Sequence, residues 1–278
     1  MLGPVRELSA DEMWTAFDAV DPLAPLVAEL TERNTGRPEA LRPWPSSGED
    51  RVVVDDSCVL PAASLRMFHA ASLAALAARQ LLAPGGATVA LLGVTPVSQP
   101  QLAAIIRLVP DISHVAICLT GDIRFNPLEP KLVDQLELNG IGLSVGSDPV
   151  AAVFGANLVI VLGRVGGDLR TGQLAPGVVV VNATGAELPG QLVDEIDEVF
   201  VDDRRLVGER RVRSMCGRSL ERGGPSADLG QLLYGSHPGR VAFDARLLVE
   251  LLGAGTLNVR LARQLCRVAR QRGMGRGL

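Results

Sequence analysis

The stretch Ala87 to Asp122, ATVALLGVTPVSQPQLAAIIRLVPDISHVAICLTGD, decides the fold. Val89 to Leu92 is short, aliphatic and uncharged, as a strand buried on both faces should be. Leu102, Ile105, Ile106 and Val109 recur at helical spacing, which predicts a helix with one buried stripe. His114 to Leu119 is apolar again and reads as a second strand. Strand, helix and strand of this length make a βαβ unit with a right-handed crossover. In such a unit the turn after the first strand is where dinucleotide phosphates rest on the amides of a helix N-terminus.

That turn departs from the glycine fingerprint. Gly93 holds the first glycine position, but Thr95 stands at the second and Ser98 at the third. Pro96 and Pro100 remove two N–H donors from the segment that would cradle an anion. One reading is a Rossmann-like unit that no longer binds a dinucleotide. The other keeps the hydroxyls of Thr95 and Ser98 as replacement phosphate donors. The ribose-reading acid belongs near the end of the second strand, where Asp122 stands slightly late; Arg124 would instead favour a 2′-phosphate.

Outward from this unit the alternation continues. Upstream, Ser9 with Glu12 resembles a capping box opening a helix to about Val20, and Asp21-Pro22 introduces a second to about Arg33. Residues 34–50 read as an irregular connection, Val52 to Val54 as a β-like run, and Leu65 to Leu82 as an alanine-rich helix. Asp55 and Asp56 could together bind a cation, although a solvated strand end explains them as well. Downstream come a helix around Lys131, a strand at Ile141 to Val145 and a short helix at Asp148-Pro149. Aliphatic runs follow at Leu158–Leu162, Val178–Val181 and Glu198–Val201, then a helical piece within Ala227–Tyr234. Residues 243–272 read as one or two closing helices. This pattern predicts an α/β fold: a Rossmann-like doubly wound parallel sheet, with a second, reduced N-terminal domain completed by the C-terminal helix. The expected division is 1–82 with 243–278 for the reduced domain and 83–242 for the dinucleotide-binding domain.

Composition narrows the classes. Hydrophobic residues are 47% of the 278 but aromatics only 3%, so the core must be packed with Leu, Val, Ala and Ile. A net charge of −4 gives no footprint for nucleic acid, and no apolar run suits a membrane span or signal peptide. Cys58, Cys118, Cys216 and Cys266 are scattered, which indicates neither a zinc site nor a disulfide framework, and the expectation is a soluble, cytoplasmic protein with reduced thiols. Lys131, in a charged and exposed helix, is the only lysine, so Schiff-base chemistry is not expected.

Val180 to Asp203, VVNATGAELPGQLVDEIDEVFVDD, resembles a segment of the ornithine cyclodeaminase and mu-crystallin family: a strand ending in asparagine, a glycine-alanine-acid-x-proline-glycine turn, and a strand ending in valine-aspartate. Ala227 to Arg240, ADLGQLLYGSHPGR, resembles its aspartate-leucine-glycine segment followed by proline-glycine-arginine. The helix before Gly93 and the stretch Gly253 to Gly275 follow the same family, so the resemblance covers residues 65–278 and fades toward the N-terminus. It implies a homodimer with an NAD or NADP site between two domains, acting on a small-molecule amino acid or cyclic imine. Cyclodeamination, imine reduction or amino-acid dehydrogenation are the implied reactions. They need a carboxylate to move protons beside the nicotinamide and cations to hold the substrate carboxylate.

Carried over residue by residue, the family site is kept in part. Glu187 stands where the cyclodeaminases place a catalytic aspartate, and Gln191 replaces a lysine. The substrate-gripping arginine aligns with Met67, and Arg66, one residue away, is the substitute. The nicotinamide-facing strand end is Val161, Leu162 and Gly163, without the family's threonines. Asn258 replaces a common aspartate, and Val249-Glu250-Leu251 a Phe-Lys-Ser-like stretch. His69 could act as acid or base in the cleft, or simply pack within its helix. Between the first helices and residue 65 the family carries most of a substrate domain; this chain has a short interval whose cations are Arg37, Arg42 and Arg51. Arg260, Arg263, Arg267 and Arg270 line one side of the last helix, as a solvated face or a dock for an acidic partner. Besides the nicotinamide-dependent enzyme, two readings stay open: a catalytically degenerate member binding or scaffolding a partner protein, and an enzyme of non-redox chemistry that reuses the cleft.

Overall fold

A computed structural model describes residues 6–34, 42–43, 50–55, 58–95, 98–119, 128–165, 169–184, 188–194, 196–207, 224–252, 256–257 and 259–277. Strand β1 (Arg6–Glu7) leads into helices α1 (Ala10–Asp18) and α2 (Leu23–Asn34). Ser9 caps α1 as its sequence predicts: its hydroxyl accepts the Glu12 N–H, and Glu12 accepts the Ser9 N–H at 2.9 Å. Strands β2 (Arg42–Pro43), β3 (Arg51–Asp55) and β4 (Cys58–Pro61) precede the alanine-rich α3 (Ala62–Leu81). The deciding stretch follows as β5 (Ala87–Val94), α4 (Gln99–Leu108) and β6 (Ile112–Leu119). Then come α5 (Pro130–Leu138), β7 (Gly142–Gly146), α6 (Pro149–Val153), β8 (Leu158–Val161), β9 (Val179–Asn182), α7 (Gly190–Val193) and β10 (Glu198–Val201). The chain closes with β11 (Ala227–Asp228), α8 (Leu229–Tyr234), β12 (Leu247–Glu250), β13 (Thr256–Leu257), α9 (Val259–Gln271) and β14 (Arg276–Gly277).

The large sheet has eight strands in the order β11-β10-β12-β9-β8-β5-β6-β7, all parallel. Alternate residues of one strand enter different cores, because successive side chains of a strand point to opposite faces. Val89 and Leu91 join the core under α3 and α4, while Ala90 and Leu92 join the one shared with Val153, Leu192 and Val193. Leu158 and Ile160 divide from Val159 and Val161 in the same way. A sheet covered on both faces needs strands without a polar side, which is why these runs read as continuously apolar. Ala71, Ala74, Ala75 and Ala78 of α3 are fully buried, and their small side chains let the helix lie close to its neighbours. Scarce aromatics are concentrated: Phe17 and Phe68 stack with ring centroids 4.2 Å apart.

Two expectations are corrected. Residues 243–272 do not form closing helices alone. Their first apolar run is β12, which inserts between β9 and β10, and only α9 is helical. A four-residue apolar run has no period that distinguishes a buried strand from a helix segment. Nor are all thiols reduced: Cys58 of β4 and Cys266 of α9 form a disulfide with Cα atoms 6.1 Å apart. The bridge ties α9 to the smaller sheet, of order β14-β1-β4-β3, in which both ends of the chain meet because β1 pairs with β14. The C-terminal helix thus completes the smaller unit, as expected.

The proline-glycine-arginine segment has a structural explanation. Arg240 donates to the carbonyls of Leu81 (2.8 Å), Gly177 (2.8 Å) and Ala245 (2.6 Å), joining the end of α3 to the loops before β9 and β12. Lys131 is likewise structural, bonding Asp18 at 2.8 Å with its ammonium 4.3 Å from the Trp14 ring centroid. Arg260, from the basic side of α9, pairs with Glu32 of α2. Among the described residues no group of acids, histidines and cysteines could hold a metal ion, and no helix is long and apolar enough to cross a membrane.

Because the bridge spans a sequence separation of 208, reducing it should destabilise the fold by up to about 5 kcal/mol. Melting with and without dithiothreitol, beside a Cys58→Ala variant, checks this; equal melting temperatures and two additional reactive thiols in the unreduced, denatured protein would contradict the bridge. Arg240→Lys, which keeps the charge but not the fork, should cost about 3 kcal/mol in urea unfolding.

Candidate functional site

Open parallel sheets bind ligands beyond the C-terminal ends of their strands, where the order reverses. Here the reversal lies between β5 and β8. At that point a cleft of about 1020 Å³ opens, lined from α3 by Arg66, Met67 and Ala70 and from α4 by Gln101. The strand ends contribute Leu162, Gly163, Arg164 and Val165 after β8, and Ala183, Thr184, Leu188, Pro189 and Gly190 after β9. Among the described lining residues Arg66 and Arg164 are the charged ones, so the cleft favours an anion. Met67, Leu162, Val165 and Leu188 give it an apolar wall.

The mouth of the cleft is set by two glycines. Gly93 has φ +75°, and a β-carbon there would stand 2.6 Å from the Gly163 carbonyl carbon and 2.7 Å from its Cα. Gly93 is therefore required by the approach of two strand ends, and Gly163 both packs against it and lines the cleft.

The turn after β5 is closed on itself. The Thr95 N–H donates to the Ser98 hydroxyl oxygen at 2.9 Å, and that hydroxyl donates to the Thr95 carbonyl at 3.0 Å. The Ser98 N–H is held by the Thr95 carbonyl at 3.0 Å as well. Ser98 is buried. Ser98 thus satisfies its own turn, and its oxygen takes the Thr95 amide that a glycine turn would present. A diphosphate held here would need the Ser98 hydroxyl to turn outward. Gly163 and Leu188 to Gly190 line the cleft beside its apolar wall.

The other expected residues are distributed unevenly. Arg66 lies in the cleft wall, with its Nε 3.4 Å from the Ala62 carbonyl of its own helix. His69 is buried within α3 and is not among the described lining residues. Glu187, Asp122, Arg124, Pro96, Asp56 and Asn258 lie outside the described residues. Glu187 directly precedes Leu188, which lines the cleft.

Three groups went unrecognised in the sequence reading. Arg164 and Thr184 were hidden because, although strand ends are expected to face a ligand, nothing local says which residues past a strand end line the cleft. The third is an acid behind the wall. Glu250 ends β12 and is only 3% exposed. In register it lies between Asn182 of β9 and Val201 of β10. Asn182 donates to its Oε2 at 2.8 Å, while its Oε1 is buried without a partner. Burial chiefly, and then the charge of Asp202, push its pKa up from 4.5 to about 7, against the lowering by the Asn182 bond. A glutamate closing the apolar run Leu247–Glu250 was the signal that could have found it.

No protein-family model and no curated protein matches the sequence. Solved structures share the fold, 32 chains of them matching. CmnK superposes with a TM-score of 0.73 at 18% identity, over 99% of this chain and 98% of that one. A Thermococcus litoralis Δ1-pyrroline-2-carboxylate reductase, solved with NADH and L-proline, gives 0.70 at 12% identity over 99% and 100%. A probable ornithine cyclodeaminase from Bordetella pertussis Tohama I gives 0.70 at 17% identity over 97% and 99%. The resemblance read from residues 65–278 is thus borne out for the fold, and it extends through the N-terminal part.

Because the folded state holds the Glu250 proton more tightly than the unfolded chain, the stabilisation is complete below pH 4.5 and is lost as pH rises through about 7. Glu250→Gln should therefore be nearly neutral at pH 5 and stabilising at pH 8, by on the order of 3 kcal/mol. Chemical denaturation at the two pH values checks the sign; an equal effect at both would contradict a buried, proton-holding acid.

Proposed function

Starting from the fold of the ornithine cyclodeaminases, we propose that this protein is an NAD(P)-dependent enzyme acting on an amino acid or cyclic imine. The observation that carries the reading is the cleft at the reversal of strand order, with Arg66 and Arg164 on an otherwise apolar wall. Two guanidinium groups suit a carboxylate, which they hold through paired charge-assisted hydrogen bonds. The wall of Met67, Leu162, Val165 and Leu188 keeps water from the reacting carbon. Glu187, next to the lining Leu188, is proposed as the group that carries a proton to or from the imine nitrogen. Gly163, Thr184 and the Leu188–Gly190 segment would hold the nicotinamide end. The cofactor, when bound, supplies or accepts the hydride.

A homodimer is part of the proposal. It is supported by Val53, 65% exposed on β3, an edge strand of the smaller sheet that a second copy could cover. A cytoplasmic location is proposed too, and the Cys58–Cys266 bridge would be unusual there. One observation favours the second reading, a partner-binding protein without catalysis: the Thr95 amide and the Ser98 hydroxyl satisfy each other rather than a phosphate.

Calorimetric titration with NADH and NADPH separates the two readings. Saturable binding of either is expected, with turnover of a cyclic imino acid such as Δ1-pyrroline-2-carboxylate. Arg66→Gln and Arg164→Gln should each raise KM for the imino acid roughly 10- to 100-fold while leaving dinucleotide affinity nearly unchanged. Absence of binding for both dinucleotides, with a partner protein recovered instead, would favour the second reading.

A further inference from the structure

Behind the cleft wall, the ends of three neighbouring strands are wired together by side chains. Asn182 donates from Nδ2 to Glu250 Oε2 at 2.8 Å. With its other end, Oδ1, Asn182 accepts the Thr184 hydroxyl at 2.7 Å and the Thr184 N–H at 3.2 Å. Thr184 itself lines the cleft. Backbone bonds hold the frame: Leu251 N–H donates to the Asn182 carbonyl at 3.1 Å, and Asp202 Oδ1 accepts the N–H of Leu252 at 2.8 Å and of Asp203 at 3.0 Å.

We propose that Glu250 is a positioning residue of the cleft, acting through the Asn182 amide on Thr184, so that the proton on Glu250 and the geometry of the cleft wall are linked. The direction follows from the bonds. Since Oε2 accepts from Asn182, the proton of the neutral acid resides on Oε1, which faces no donor or acceptor. Ionisation puts charge onto the Asn182 bond and strengthens it. An amide polarised at Nδ2 becomes a better acceptor at Oδ1, so the Thr184 hydroxyl is held more firmly away from the cleft. Among the described residues the charged side chain facing Glu250 is Asp202 at the end of β10, and from β9 it meets neutral Asn182. Asp203, next along, is engaged by Arg205 at 2.7 Å. For its consequence in catalysis the inference rests on the reading above, in which Thr184 lies beside the cofactor.

The test uses the whole protein labelled with ¹⁵N-threonine, with the Thr184 amide resonance identified by its loss in Thr184→Ser. Across pH 5.5 to 8.5 that resonance should titrate with a midpoint near 7 in the native chain and stay flat in Glu250→Gln, the midpoint being that of Glu250. In Asp202→Asn, which keeps an oxygen for the two backbone N–H groups, the midpoint should fall because a like charge is gone. A Thr184 resonance that does not titrate overturns the proposal, as does one that titrates unchanged in Glu250→Gln. Should Glu250→Gln fail to fold, an unmoved midpoint in Asp202→Asn overturns it instead. In parallel, the NADH dissociation constant should change several-fold between pH 6.5 and 8.5 in the native chain and stay constant in Glu250→Gln. If no dinucleotide binds, the enzymatic reading falls, and the Thr184 titration still decides the positioning role.

Discussion

At the centre of the large sheet, two backbones approach so closely that neither has room for a side chain. The contact between Gly93 and Gly163 joins the C-terminal ends of β5 and β8, where the strand order turns back on itself. It directs the chain after β5 toward α4 and the chain after β8 into the cleft. It also makes Gly93 an architectural glycine, which the close approach of Gly163 explains without any ligand. The other two positions of the fingerprint, freed from that demand, hold Thr95 and Ser98, which satisfy each other.

The chemistry available at the cleft is a matter of charge placement. Two arginines stand at its surface, and a carboxyl whose pKa burial raises to about 7 lies behind it. Ionised, Glu250 would add a negative charge close to the same strand ends; protonated, it leaves the field of the arginines intact. The smaller sheet, clasped by β14 and the Cys58–Cys266 bridge, holds α9 against β3 and β4.

Much of this architecture is legible in the chain. The apolar runs that become β5, β6, β8, β9 and β10 announce strands covered on both sides, and the helix between β5 and β6 declares itself by its period. The Ser9 cap, the Asp148-Pro149 helix start and the parallel order follow from local rules. What escapes is whatever depends on a distant partner. β12 pairs with strands that precede it by many residues, and a short apolar run gives no hint of its neighbours. Cys58 and Cys266 are 208 residues apart, so no spacing pattern could join them. Glu250 gains its character only from Asn182 and Asp202 on adjacent strands. Of the site, a family pattern points to Arg66 and Gly163, while Arg164 and Thr184 reach the cleft only through the three-dimensional arrangement of the strand ends.

In the proposed function, a nicotinamide meets a carboxylate in the cleft beyond β8 and β9. A crystal structure of the protein soaked with NADH and L-proline tests it most directly. Density is expected for the nicotinamide beside Gly163 and the Leu188–Gly190 segment, with the carboxylate against Arg66 and Arg164. A fully ordered cleft holding only water at saturating concentrations of both, with Ser98 still bonded to Thr95, would contradict it.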